Sequence, residues 1–160
     1  MNVLNRWLEC EDIHDIELFC IECKRLNYVN NSSLKAMKYL SADWVGSYVD
    51  DLLVSVSGVR FEPDIGENAY RVMYRGCTLP GYSQKFSRKI EETSLNWQHI
   101  PLQVERINAK FNNAKFYMTS NIEGGAKSYR LSKYMHNCSL VEYCGEQELF
   151  NTRQKIWRLK

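Results

Sequence analysis

The chain reads as one mixed α/β domain. Three observations predict this class. Apolar runs of strand character alternate with stretches of helical periodicity. The elements fall in the order β-α-α-β-β-β-α-β-α-β-β. The length, 160 residues, is enough to bury one core and too short to call for two.

Residues 1–8 supply a first strand. Glu11 or Asp12 opens a helix in which Ile13, Ile16, Leu18, Phe19, Cys20 and Cys23 recur at helical spacing. Asn30, Asn31, Ser32 and Ser33 break it, and Ser32 or Ser33 caps a second helix through Leu34, Met37 and Leu40. Trp44 to Tyr48 is a strand, Asp50-Asp51 a turn, and Leu52 to Phe61 a Val-rich strand that alternates over VSVSGV. Pro63, Gly66 and Asn68 turn the chain into a strand from Ala69 to Arg75. A helix is expected over Ser83 to Trp97, with Phe86, Ile90 and Leu95 inward. A short buried strand follows over Ile100 to Glu105, then a helix over Asn108 to Met118. Gly124-Gly125 interrupts, a short helix covers Ala126 to Met135, and Ser139 to Tyr143 and Lys155 to Leu159 form the last strands. Trp44, Trp97 and Trp157 are expected in the core or at an interface.

Composition excludes several classes. At 44% hydrophobic and 25% charged the chain matches ordinary globular proteins. No run of about 18 apolar residues suggests a membrane span. The opening MNVLNRWLECEDIHD lacks the basic-then-apolar order of a secretory signal, so a soluble cytoplasmic protein is expected. The six cysteines are then expected as thiols, with Cys20 and Cys23 packing on a helix, since no second ligand pair accompanies them for a metal. Charge is unevenly placed. Residues 1–67 hold 12 acids and 6 bases, while residues 68–160 hold 7 acids and 15 bases. The basic half suits a nucleotide cofactor; a nucleic acid surface is possible but not indicated.

That half contains the most informative stretch, Tyr70 to Tyr117. It reads as a strand, a turn with Pro80 and Gly81, a helix start that can receive a phosphate, a strand, and a helix opening at Asn108. In order and spacing it resembles the cofactor-binding core of the GCN5-related N-acetyltransferase (GNAT) superfamily. LECEDIHDIELFCIEC is similar to that family's opening helix, YVDDLLVSVSGVRF to its central hairpin, AYRVMYRG to the strand before its phosphate loop, and PLQVERIN and AKFNNAKFY to its next strand and helix.

The resemblance implies a mixed, mostly antiparallel central sheet flanked by helices and splayed by acetyl-CoA between its fourth and fifth strands. It implies transfer of an acetyl group to an amine acceptor, small molecule or protein, with a homodimer possible. Backbone groups at Met73, Tyr74 and Arg75 would hold the thioester. The turn Ser83, Gln84, Lys85, Phe86, Ser87 and Arg88 would receive the pyrophosphate, and Asn108 would cap a helix beside the cofactor arm. Tyr117 would protonate the leaving thiolate, and Glu105 would serve as base. The family's loop carries glycines, whereas Phe86 and Arg88 stand at those positions here.

Two other readings stand beside this one. Arg75, Ser120, Glu146 and Glu148 resemble the Arg, Ser-Thr-Ser, Glu-x-Glu series of arginine-specific mono-ADP-ribosyltransferases, which use NAD; Met118 replaces that family's first Ser. The missing glycines motivate the other, a non-catalytic acetyltransferase-like binding protein.

Overall fold

Asp12 joins the first strand to the first helix. Strand β1 (Val3–Trp7) leads through a 3-10 turn into helix α1 (Ile13–Arg25). The Asp12 carboxylate accepts the Glu9 N–H at 2.8 Å and both terminal nitrogens of Arg6, each at 2.8 Å. The Arg6 bonds hold this carboxyl below its usual pKa range. The computed structural model describes residues 2–26, 42–83, 95–122 and 132–160. The expected helix over Leu34 to Leu40 lies outside them.

The remaining elements are β2 (Asp43–Val49), β3 (Leu52–Phe61), β4 (Ala69–Thr78), the short helix α2 (Pro80–Ser83), α3 (Leu95–Lys110), β5 (Lys115–Asn121), α4 (132–136), β6 (Val141–Leu149) and β7 (Thr152–Leu159). The strands form one seven-stranded sheet in the order β1-β2-β3-β4-β5-β7-β6. Every pairing is antiparallel except β4 with β5. That parallel pair requires a crossover, which α3 provides. This is the mixed, mostly antiparallel sheet with flanking helices that the resemblance implied. Asp50 and Asp51 both take positive φ (49° and 64°), so the β2–β3 hairpin closes through a two-residue turn.

β2 and β3 are buried almost throughout because helices cover both faces. The alternation of β3 divides its side chains between two chemistries. Val54 and Val56 pack with Phe19 and Cys23 of α1, and Trp44 and Tyr48 join that cluster. Ser55 and Ser57 turn toward α3. A second apolar cluster joins Val72, Phe116, Met118 and Trp157 of the sheet to Trp97, Ile100 and Ile107 of α3 and Met135 of α4. Trp44, Trp97 and Trp157 are all buried, as expected. Cys23 meets Cys77 of β4 with their sulfurs 4.0 Å apart, and both are free thiols.

Two expected elements are corrected. Ile100 to Glu105 is not a strand, because α3 runs unbroken from Leu95 to Lys110 with Pro101 inside it. Ile100, Gln103 and Ile107 recur at helical spacing on its buried side. Asn108 to Met118 is not a helix. The chain turns at Asn112 and Asn113, the latter at φ 67°, and residues from Lys115 pair with β4 and β7 as β5. Phe116, Met118 and Ser120 alternate inward there with the period of a strand. Of the helix expected over Ser83 to Trp97, residues 84–94 lie outside the described ones, and Leu95 to Trp97 begin α3. Residues 132–136 are helical and overlap the end of the span expected over Ala126 to Met135. Among the described residues no helix is long and apolar enough to cross a membrane.

Strand β6 lies at the sheet edge and carries Glu142, Glu146 and Glu148 exposed, with a kink at Gly145 (φ 94°). Arg158 reaches Glu142 at 3.0 Å and Arg153 reaches Glu146 at 2.9 Å from the neighbouring strand.

Asp12→Ala removes three hydrogen bonds at the start of α1 and is expected to destabilise the fold by about 2 kcal/mol. Urea denaturation with an unchanged m-value checks this; a loss below about 0.5 kcal/mol would mean α1 is anchored elsewhere.

Candidate active site

β4 and β5 stay together for only three rungs: Ala69 with Lys115, Tyr70 with Phe116, Arg71 with Tyr117. Beyond Arg71, β4 pairs only with β3, and β5 continues on β7. The cause is local. Met73 and Arg75 sit at positive φ (51° and 48°), and the β3–β4 register shifts twice between Val56 and Arg60. Positive φ is costly for residues with a Cβ, of order 1 kcal/mol or more each. Such strain gathers where a chain is shaped for a ligand.

A chain of buried hydrogen bonds holds α3 against this bulged region. The Met73 N–H donates to Gln103 Oε1 at 3.0 Å. Gln103 Nε2 donates to Ser57 Oγ at 3.1 Å and to the Ser57 carbonyl at 3.3 Å. Ser57 Oγ lies 2.7 Å from His99 Nδ1, and His99 Nε2 lies 2.6 Å from Ser47 Oγ. Ser47 donates to Asn5 Oδ1 at 2.6 Å, and Asn5 Nδ2 donates to Gln98 Oε1 at 2.9 Å. Because the Ser47 hydrogen is engaged at Asn5, Ser47 accepts from His99 Nε2–H, and His99 Nδ1 accepts from Ser57. The ring is neutral; burial lowers its pKa from 6.5 to about 3. Further along, Ser55 donates to Asn96 Oδ1 at 2.8 Å and lies 2.7 Å from Thr78 Oγ1. Gly76 lets Asn96 approach: a Cβ there would lie 2.6 Å from Asn96 Nδ2.

On the opposite face, three arginines surround Tyr74. The guanidinium carbons of Arg60, Arg71 and Arg75 lie 5.1, 5.0 and 5.3 Å from its ring centre. Its hydroxyl accepts from Arg75 Nε at 2.8 Å and Arg60 Nη1 at 3.2 Å. Arg60 also pairs with the buried Glu62, Nε to Oε1 3.0 Å. Burial raises the Glu62 pKa, opposed by Arg60 and Arg71. Burial chiefly lowers the Arg71 pKa, to about 10.

The residues expected to act are distributed unevenly across this geometry. Met73, Tyr74 and Arg75 lie where β4 leaves β5, and the Met73 N–H is engaged by Gln103. Ser83 ends α2, while Gln84, Lys85, Phe86, Ser87 and Arg88 lie outside the described residues. Tyr117 is not at a helix end. It is half-buried on β5, opposite Arg71 at the last shared rung and next to Arg158 on β7. Asn108 caps no helix start; it is exposed in the last turn of α3. Glu105 is exposed on α3 rather than at a strand end. Of the NAD-directed series, Arg75 is on β4, Ser120 on β5, and Glu146 and Glu148 are exposed on β6, with Glu146 bound to Arg153. Gln103, His99, Arg60, Glu62 and Arg71 were not anticipated. Polar residues recurring at Asn96, His99 and Gln103 along one helix face were the available signal for the first two.

No protein-family model matches the sequence, and no curated protein matches it significantly. Solved structures do match. A protein assigned to the GNAT acetyltransferases from Desulfovibrio desulfuricans aligns over 99% of both chains at 12% identity, with a TM-score of 0.67. Arabidopsis thaliana Naa50, in complex with the bisubstrate analogue CoA-Ac-MVNAL, aligns over 100% of this chain and 99% of its own at 13% identity, TM-score 0.55. The PaiA N-acetyltransferase of Thermoplasma acidophilum, in complex with coenzyme A, aligns over 100% of both chains at 14% identity, TM-score 0.54. The chain has the fold of the GNAT acetyltransferases. Nothing in these likenesses supports the NAD reading.

His99 gives the buried network a pH signature. Below pH 6.5 the unfolded chain takes up a proton that the folded ring refuses until about pH 3. Stability is therefore complete above 6.5 and falls on acidification, by up to about 1.4 kcal/mol per pH unit from this group. His99→Gln should flatten the dependence of unfolding free energy on pH between about 6.5 and 4.5. Parallel slopes for the two proteins would show that His99 does not titrate in this way.

Proposed function

We propose that the chain is an acyl-CoA-dependent N-acyltransferase that moves an acetyl group from acetyl-CoA to an amine. The parting of β4 and β5 immediately after the Arg71–Tyr117 rung carries this reading, because it opens the sheet beside backbone donors held at strained φ. Two proteins of the same fold have been crystallised with coenzyme A or a CoA-containing analogue.

The residues present fit a thioester. An amide carbonyl, Gln103 Oε1, already occupies the Met73 N–H, so that donor is aimed where a carbonyl oxygen can sit. Acetyl-CoA supplies the activated acyl group when bound. Its thioester would let an amine displace the thiolate, the carbon–nitrogen bond forming as the carbon–sulfur bond breaks. Met73 to Arg75 would offer N–H groups to the thioester carbonyl oxygen, with the Gln103 amide displaced and still anchored through Nε2 at Ser57. In the sequence from Ser83 to Arg88, Phe86 and Arg88 replace the usual glycines, and Lys85 and Arg88 would supply charge for the pyrophosphate. Tyr117 returns a proton to the sulfur. With Glu105 exposed, solvent water removes the proton of the amine.

Calorimetric titration with acetyl-CoA, and with NAD in parallel, tests the assignment. Micromolar acetyl-CoA binding is expected. Binding of NAD alone, or of neither, would overturn it, the second result leaving a non-catalytic acetyltransferase-like protein. Tyr117→Phe should lower turnover by about tenfold or more with nearly unchanged acetyl-CoA affinity; full turnover would remove Tyr117 from the mechanism.

A further inference from the structure

Arg60 and Arg71 are direct cross-strand partners on β3 and β4. Like charges in that arrangement repel and destabilise a sheet. Glu62 offsets part of this, but its carboxylate is engaged by Arg60. Arg71 stands differently. Its guanidinium carbon lies 5.0 Å from the centre of the Tyr74 ring and 5.4 Å from that of Phe150, and no hydrogen bond or ion pair joins Arg71 to another described residue. A guanidinium between two rings keeps its edge for a ligand, and that planar fork of N–H groups matches a carboxylate.

The second ring is placed at a conformational expense. Phe150 and Asn151 form the two-residue β6–β7 turn at φ 56° and 60°, a geometry suited to Asn-Gly and unfavourable for Phe. Phe150 is half-exposed. The hairpin is also fastened to the β3–β4 connection, where Gln147 Nε2 donates to the Asp64 carbonyl at 2.9 Å. A bulky residue in a strained turn, pinned so that its ring meets an arginine, is not explained by core packing.

Location connects the cluster to the proposed chemistry. Arg71 occupies the last rung that β4 shares with β5. Met73 is two residues on, about 7 Å along the strand. An anion held on the Arg71 fork would leave an amine a few bonds away at the opening of the sheet.

We propose that Arg71, flanked by Tyr74 and Phe150 and supported by Arg60 and Arg75, binds a carboxylate of the acceptor, so that the substrate is an amine that also carries a carboxylate. The proposal rests on the acyltransferase reading and names its acceptor class. A free amino acid and the amino terminus of an acidic peptide share this chemistry.

The test is calorimetric and compares probes that differ in charge. One pair is Ala-Glu-Glu amide and Ala-Gln-Gln amide; the other is alanine and alaninamide. Acid binding at least tenfold tighter is expected in one pair, and the pair that shows it identifies the source. Arg71→Gln should erase the preference. Phe150→Gly should weaken it while leaving the melting temperature equal or higher, since glycine accepts the turn; a purely structural ring would give no change in preference. No preference in either pair, or one that survives Arg71→Gln in a folded protein, would overturn the proposal. Acetyl-CoA is titrated into the same proteins. Acid preference without acetyl-CoA binding would remove the acyltransferase reading and with it the acceptor role, leaving a carboxylate site; acetyl-CoA binding without acid preference would do the reverse.

Discussion

A buried donor or acceptor left without a partner costs about 1–3 kcal/mol, and the seam between α3 and the sheet is made of such groups. From the Met73 amide through Gln103, Ser57, His99, Ser47 and Asn5 to Gln98, every donor finds an acceptor and the direction of every bond follows from the next. Sliding α3 by one residue would orphan the series at once. Apolar contacts alone, which have no direction, would tolerate several helix positions. The seam therefore sets where α3 lies, and through Gln103 it ties the helix to the bulge at which the sheet opens.

The two faces of β3 divide the labour. Toward α1 the valines bury against Phe19 and Cys23, which stabilises the fold without specifying much geometry. Toward α3 the serines specify geometry with little apolar gain. The strained residues Met73 and Arg75 sit on the neighbouring strand, between those two supports.

Much of this was legible in the sequence, and the failures have identifiable causes. The span of β3 and the Asp50-Asp51 turn were readable because a buried hairpin combines β-branched residues with a turn that only a few residue types accept. α3 escapes a reading by apolar periodicity because its inward face alternates apolar side chains with Asn96, His99 and Gln103. β5 was taken for helix because the Asn112–Asn113 turn was read as helix interior. Tyr117, expected on that helix, lies instead on β5 opposite Arg71 of β4. The arginine cluster was beyond reach. Arg60 meets Arg71 only through a hairpin whose register shifts twice, and Phe150 arrives from a turn nearly eighty residues later in the chain.

The acidic edge of the sheet has a consequence for how the molecule lives at high concentration. A second copy laid strand to strand against β6 would bring its own Glu142, Glu146 and Glu148 against those of the first, across a strand already kinked at Gly145. That edge resists lengthening into a shared sheet between molecules. With Glu142 and Glu146 already paired to Arg158 and Arg153, the kink at Gly145 and the exposed Glu148 are what work against filaments growing from this side.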